Sequence, residues 1–145
     1  MSVNAKVDMS GCLREVPGLA STYQTSWKIR LLQIQRHSVA LSTLHVWAQT
    51  FPRGFEEIMK GIRMVGLNRL PPELPAVEKS PHYPVYAIRT KGSAARLIYF
   101  YVPDINTAVL TNCVEVNGCI ETGYALGERL RQLLQERLPN PLPLL

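Results

Sequence analysis

The sequence has few of the patterns that identify a disulfide scaffold, a metal site or a membrane protein. Only three cysteines occur among the 145 residues, and this odd number predicts reduced thiols rather than a disulfide framework. None of them belongs to a Cys-x-x-Cys pair or lies at a zinc-ligand spacing from a histidine. The chain also has no run of eighteen apolar residues and no basic start followed by an apolar segment. We therefore expect no membrane span and no secretory signal, and a cytoplasmic location.

The common signatures of nucleotide-binding enzymes and of several hydrolase classes are absent as well. The patterns GxGxxG, GxxxxGK[ST], HExxH and GxSxG do not occur, and each of them is the mark of a specific chemistry. No pair of carboxylates stands out as a general acid and base. We therefore expect no cofactor and no metal, so any catalysis must depend on other side chains.

Acidic residues are scarce in the middle of the chain. Residues 26–103 contain eleven Lys or Arg and four Glu, a net charge of +7, whereas residues 104–145 contain three Arg and five acids, a net charge of −2. The overall composition, 46% apolar and 19% charged, is typical of a folded domain. The basic excess in the middle therefore indicates an anionic partner rather than disorder.

The apolar pattern predicts one α+β domain over residues 26–138, between a flexible N-terminal extension, residues 1–25, and a Pro-rich tail, residues 139–145. The predicted elements, in chain order, are a strand at 27–34, a helix from its N-cap Ser38 to about Gln49, a helix at 55–65 ended by Gly66, a hairpin at 84–101, a strand at 107–116 and a helix capped by Thr122. We expect the helices to cover one face of an antiparallel meander and the other face to stay open to solvent or a ligand.

The most informative segment is the hairpin VYAIRTKGSAARLIYFY, residues 85–101. Bulky apolar residues alternate with Arg89, Lys91 and Arg96, and the small residues 92–94 interrupt the pattern as a turn does. A hairpin with three cations and several tyrosines on one sheet surface is suited to a polyanion such as RNA. Ordinary solvated hairpins show the same pattern, so these residues alone leave both interpretations open.

This motif and the order of elements resemble the RelE/HigB/ParE superfamily of bacterial toxins from type II toxin–antitoxin modules, including phage-derived HigB-like members. The resemblance covers Trp27 to Arg137. It is most specific in Tyr86, the basic residues after it, the small-residue turn, Arg96 with two following aliphatic residues, and Tyr99. It implies a RelE-like α+β fold and a cognate antitoxin protein as partner. The implied target is mRNA in the ribosomal A site or, for ParE-like members, DNA gyrase.

Metal-free RNA cleavage needs cations at the scissile phosphate and groups that remove and supply protons. By the resemblance, Arg89 and Arg96 bind and stabilise the phosphate, Lys91 adds charge or takes part in proton transfer, and Tyr124 lies near the place of a family tyrosine. His82, in the loop before the hairpin, is a further candidate base because histidine titrates near neutral pH. The predicted RNA-binding residues are Lys79, Tyr86, Arg89, Lys91, Arg96 and Tyr101.

Three positions depart from the family pattern. Ala87 and Asn117 stand where ribosome-dependent members have basic residues, and Asn112 is nearest to the third-strand histidine of HigB-like members. The primary prediction is a ribosome-dependent mRNA endonuclease that inhibits translation. The alternative is a non-catalytic binding protein on the same fold, such as a ParE-like gyrase inhibitor or a degenerate member that only binds its antitoxin. Tyr86 and Tyr99 also fit core packing better than catalysis.

Overall fold

The computed structural model describes residues 11–68, 77–89, 94–115 and 119–138. The predictions for Lys91, for most of the turn at 92–94, for Asn117 and for the tail at 139–145 lie outside these ranges. The elements are β1 (Leu13–Glu15), β2 (Lys28–Leu32), α1 (Val39–Thr50), α2 (Pro52–Leu67), β3 (Val77–Lys79), β4 (Tyr86–Arg89), β5 (Ala95–Val102), β6 (Thr107–Glu115) and α3 (Ile120–Gln135).

The six strands form one mixed sheet in the order β1-β2-β6-β5-β4-β3. β3, β4, β5 and β6 make an antiparallel meander. β2 lies beside β6 in parallel and β1 closes the other edge in the antiparallel sense. The predicted α+β class and the predicted order of helices and main strands are therefore confirmed, with two short edge strands in addition.

The first of these edge strands lies within the predicted N-terminal extension. β1 pairs with β2, Leu13 opposite Leu32, and the next residue, Val16, is 5% exposed within the core. Residues 13–16 thus contribute to the folded unit instead of forming part of a flexible extension. A three-residue strand is too short to show alternation, which is why the apolar pattern does not reveal it.

The two helices between β2 and β3 follow the predicted boundaries only in part. The Ser38 hydroxyl accepts a hydrogen bond from the Leu41 N–H at 3.2 Å, so the predicted N-cap of α1 is confirmed. α2 begins at Pro52, three residues before the predicted start, because proline is well tolerated in the first turn of a helix. It also continues past Gly66, whose predicted role as a helix stop is wrong.

Gly66 is needed for a close approach between backbones. A Cβ atom there would collide with the carbonyl oxygen of Tyr23. The Gly66 carbonyl accepts hydrogen bonds from the N–H groups of Ser26 and Trp27, at 2.9 and 3.1 Å. The close contact at this glycine therefore holds the end of α2 against the segment that leads into β2.

Both faces of the sheet are covered by helices, so the prediction of one open face is wrong. The core on one face includes residues of α1 and α2, and the core on the other face includes residues of α3. β5 explains the difference, because its side chains are apolar or aromatic on both sides from Leu97 to Val102, as expected of a strand between two layers. We refer below to the α1–α2 face and the α3 face.

α3 lies very close to the sheet and begins earlier than predicted. Its first residue is Ile120, with Cys119 as N-cap, so the prediction that Thr122 caps it is wrong. A Cβ atom at Gly123 would meet Val114, and one at Gly127 would meet Ile98. These two glycines let the N-terminal half of α3 pack directly on β5 and β6, beside the predicted site residues.

Candidate functional site

Two of the predicted site residues, Arg89 and Arg96, face each other across β4 and β5. They are direct cross-strand partners, so their Cβ atoms lie about 5 Å apart on one face of the sheet. That face is the α3 face, because Ala87 and Ile98, two residues before Arg89 and after Arg96, belong to its core. Arg89 is exposed, and the side chain of Arg96 is 18% exposed. Like charges placed directly opposite repel, so the pair favours an anion beside it.

Glu78 supplies such an anion. Its Oε1 lies 3.5 Å from Nε of Arg96, although Glu78 belongs to β3 and Arg96 to β5. Strands are spaced by about 4.8 Å, so the two side chains span about 10 Å across β4. Ala87 of β4 lies between these strands on the same face, pairs with Glu78 and is fully buried.

The small side chain of Ala87 leaves room on this face for the Glu78 and Arg96 side chains to meet above β4. A long side chain at position 87 would occupy the same space.

Tyr124 lies beside this ion pair on the first turns of α3. Burial raises the pKa of its phenol to about 12, with smaller contributions from the carboxylates of Glu78 and Glu121, while Arg96 acts in the opposite direction. The residue is 3% exposed. Its phenol therefore stays protonated at neutral pH and can donate a hydrogen bond, but it cannot act as a general base there.

The structure thus brings three predicted catalytic residues together and adds two acids that sequence reasoning missed. Arg89, Arg96 and Tyr124 share the α3 face with Glu78 and Glu121. Glu78 is one of only four acids in the basic middle of the chain, and this scarcity was the signal that could have identified it from the sequence. Its strand is only three residues long, so the sequence shows no alternation of apolar and polar residues from which the face of its side chain could be predicted. We call Glu78, Arg89, Arg96 and Tyr124 the arginine site.

Two of the predicted RNA-binding tyrosines lie on the opposite face. Tyr86 and Tyr101 are 3% and 4% exposed within the core beneath α1 and α2. Tyr101 packs against Trp27, with ring centroids 4.6 Å apart, and its hydroxyl lies 3.0 Å from that of Tyr99. Burial raises the pKa of both Tyr99 and Tyr101. The prediction that Tyr86 and Tyr101 contact RNA is therefore wrong for this structure, because an apolar layer covers both rings.

Lys79 and His82 are exposed but are not placed at the arginine site. The Lys79 Nζ lies 6.0 Å from the centroid of the Tyr86 ring, on the α1–α2 face. His82 lies in the bend before β4, whereas Arg89 ends that strand. From Val85 to Arg89 alone the backbone extends about 13 Å. The structure therefore separates His82 from Arg89 and Arg96, with which it was predicted to act.

Asn112, at the position nearest to a family histidine, holds α3 against the sheet. A register shift between β5 and β6 turns both Thr111 and Asn112 toward α3. The Asn112 side-chain amide donates to the Gly123 carbonyl at 3.2 Å, and the Thr111 hydroxyl donates to the Ile98 carbonyl at 3.0 Å. Asn112 is 1% exposed, so it positions α3 and with it Tyr124.

Among the described residues, no group of three or more His, Cys, Asp or Glu side chains is placed to hold a metal ion. Within the same part of the chain, no helix is long and apolar enough to cross a membrane. Comparison with known proteins finds no matching family model and no matching curated protein.

Proposed function

We propose that this chain is the toxin of a type II toxin–antitoxin module with a RelE-like fold, and that it cleaves mRNA at the arginine site without a metal. The observation that carries the proposal is the cross-strand pair Arg89–Arg96 with the Glu78 carboxylate 3.5 Å from Arg96. Two guanidinium groups on one face can bind the oxygens of one phosphate in a bidentate manner. A carboxylate beside them supplies a proton acceptor.

The cleavage step follows from these three groups. The 2′-oxygen of a ribose attacks the adjacent phosphorus and loses its proton to Glu78, while the bond from phosphorus to the 5′-oxygen breaks. Arg89 and Arg96 stabilise the negative charge that grows on the phosphoryl oxygens. The leaving 5′-oxygen takes a proton from water, so the products are a 2′,3′-cyclic phosphate and a 5′-hydroxyl. The Glu78 side chain is 39% exposed, which leaves it free to turn from Arg96 toward the substrate.

A second candidate function is non-catalytic binding through the same arginines. It is favoured by the positions of two predicted acid–base residues: His82 lies at the far end of β4, and the phenol of Tyr124 is buried with its pKa raised to about 12. In this alternative Glu78 is a structural partner of Arg96. The anion that binds is then a carboxylate or phosphate of DNA gyrase or of the antitoxin.

Expression of the full chain from a tightly repressed promoter tests the proposal, with growth and mRNA integrity followed together. We expect rapid growth arrest with mRNA cut at specific sites, and loss of both effects in Arg96→Ala. Arg129→Ala, which removes an exposed arginine from α3, is the matched control and should behave as the unmodified chain. Arrest with intact mRNA and DNA damage would instead support gyrase binding. Both targets place the proposed activity in the cytoplasm, with the antitoxin and the ribosome or gyrase as partners.

A further inference from the structure

His82 and Tyr83 form an aromatic pair at the bend before β4, and Tyr83 lies on the same side of the sheet as the arginine site. Their ring centroids lie 6.3 Å apart in an edge-to-face arrangement with an interplanar angle of 72°. Tyr83 packs partly against the core of the α3 face, and His82 is exposed. One ring is thus anchored in the protein while its neighbour lies in solvent.

The turn that carries this pair is fixed by hydrogen bonds. The hydroxyl of Ser80 accepts from the N–H groups of both His82 and Tyr83, each at 3.2 Å. The Ser80 N–H donates to the Val85 carbonyl at 2.9 Å, and Ser80 itself is 1% exposed. Prolines at 81 and 84 restrict the backbone further. A backbone held in this way loses little conformational entropy when a ligand binds to the bend.

We propose that His82 and Tyr83 form a base-stacking subsite for single-stranded RNA whose phosphate binds the arginine site; this inference rests on the proposed function. Aromatic side chains bind nucleobases through their faces, and every base has such a face. The role of His82 is then to contact a base and not to transfer a proton. This assignment accounts for a histidine that is exposed and lies at the opposite end of β4 from the two arginines.

The spacing sets the length of RNA that the two subsites require. β4 separates the two subsites, and the backbone from Val85 to Arg89 extends about 13 Å. At the stacked rise of about 3.4 Å per nucleotide this corresponds to roughly four nucleotides, and to fewer in a stretched strand. An eight-nucleotide RNA therefore reaches both subsites, whereas inorganic pyrophosphate reaches the arginines alone.

Binding of a fluorescently labelled eight-nucleotide RNA to the full chain tests the proposal by anisotropy. Tyr83→Leu keeps an apolar side chain against the core but removes the aromatic face. One lost stacking contact should weaken binding by about 5- to 150-fold, the equivalent of about 1–3 kcal/mol. Pyrophosphate binding, followed by NMR, should be unchanged in the same variant. Tyr23→Ala removes an exposed aromatic ring that lies over Arg63 beside α2 and is the matched control.

The RNA itself gives a second measurement. An eight-nucleotide RNA without bases keeps every phosphate, so it should bind the unmodified chain more weakly by a similar factor and should not distinguish Tyr83→Leu from it. Equal binding of the normal RNA by Tyr83→Leu and the unmodified chain, together with its loss in Arg96→Ala, would overturn the subsite and leave the proposed function intact. Absence of RNA binding by the unmodified chain would overturn the subsite, whereas the proposed function is overturned only when expression of the chain leaves growth and mRNA intact.

Discussion

Substitution of Glu78 by Gln separates binding from chemistry at the arginine site. The change keeps the size of the side chain and removes a charge 3.5 Å from Arg96 Nε. With Arg89 and Arg96 retained, the summed charge of the three groups rises from +1 to +2. A partly exposed ion pair contributes about 0–1 kcal/mol, so RNA phosphate, which competes with this carboxylate, should bind up to about fivefold more tightly. Cleavage should fall by about 10²- to 10⁴-fold, because a positioned general base contributes that much.

The opposite signs of the two effects make this variant informative. Affinity is measured by anisotropy with an RNA in which the attacking 2′-hydroxyl is replaced by hydrogen, and cleavage is measured on the matching unmodified RNA. Glu57→Gln is the control, because it removes the carboxylate of a surface pair with Lys60 at 3.1 Å on α2. Weaker RNA binding by Glu78→Gln would refute the competition, and unchanged cleavage would refute Glu78 as the proton acceptor.

Further predictions concern the layer between the sheet and α3. Ala87→Leu inserts three carbon atoms at a fully buried position and should lower the free energy of unfolding in urea by about 1–3 kcal/mol, whereas Leu at the exposed Ala48 should change it little. Asn112→Ala removes the donor to the Gly123 carbonyl and should cost about 1–3 kcal/mol in the same assay; a loss below about 0.5 kcal/mol would contradict its role in holding α3. The pKa of Tyr124 is about 12 in the folded protein and near 10 in the unfolded chain. The unfolded chain therefore loses this proton first, so the free energy of unfolding should decrease as pH rises from about 10 to 12. Tyr124→Phe should make that decrease smaller, and an unchanged pH profile would refute the assigned environment.

The sequence predicts the elements whose patterns are long. β5 and β6 are eight and nine residues long and rich in apolar, aromatic or β-branched residues, the two central helices have apolar residues at helical spacing, and the cap at Ser38 is visible as a residue type. The edge strands β1 and β3 have three residues each. They form because they pair with a neighbouring strand, and they are too short to show an apolar pattern in the sequence. The six consecutive apolar or aromatic residues of β5 were the available signal for a covered α3 face, because a strand with one open face alternates between apolar and polar residues.

The candidate site was predictable only as a list of cations. Period-2 alternation places Arg89 and Arg96 on a common face once their register is known, and by the same alternation Tyr86 lies on the other face. The approach of Glu78 depends on the pairing of β3 with β4, and the burial of Tyr124 depends on how closely α3 packs. Contacts of this kind join segments distant in sequence, and a single sequence contains no direct record of them.

Ala87 and Glu78 are best understood together, as one feature of the arginine site. A basic side chain at 87 would lie on the α3 face between β3 and β5, where it would block the contact between Glu78 and Arg96 and add a third cation. With alanine there, the carboxylate reaches across β4 and the site holds an acid beside its arginines. A site with cations alone must obtain its proton acceptor by lowering the pKa of a lysine through repulsion, whereas this arrangement has a carboxylate already in place. In the proposed reaction, the small residue at 87 therefore determines that a carboxylate rather than a lysine accepts the proton.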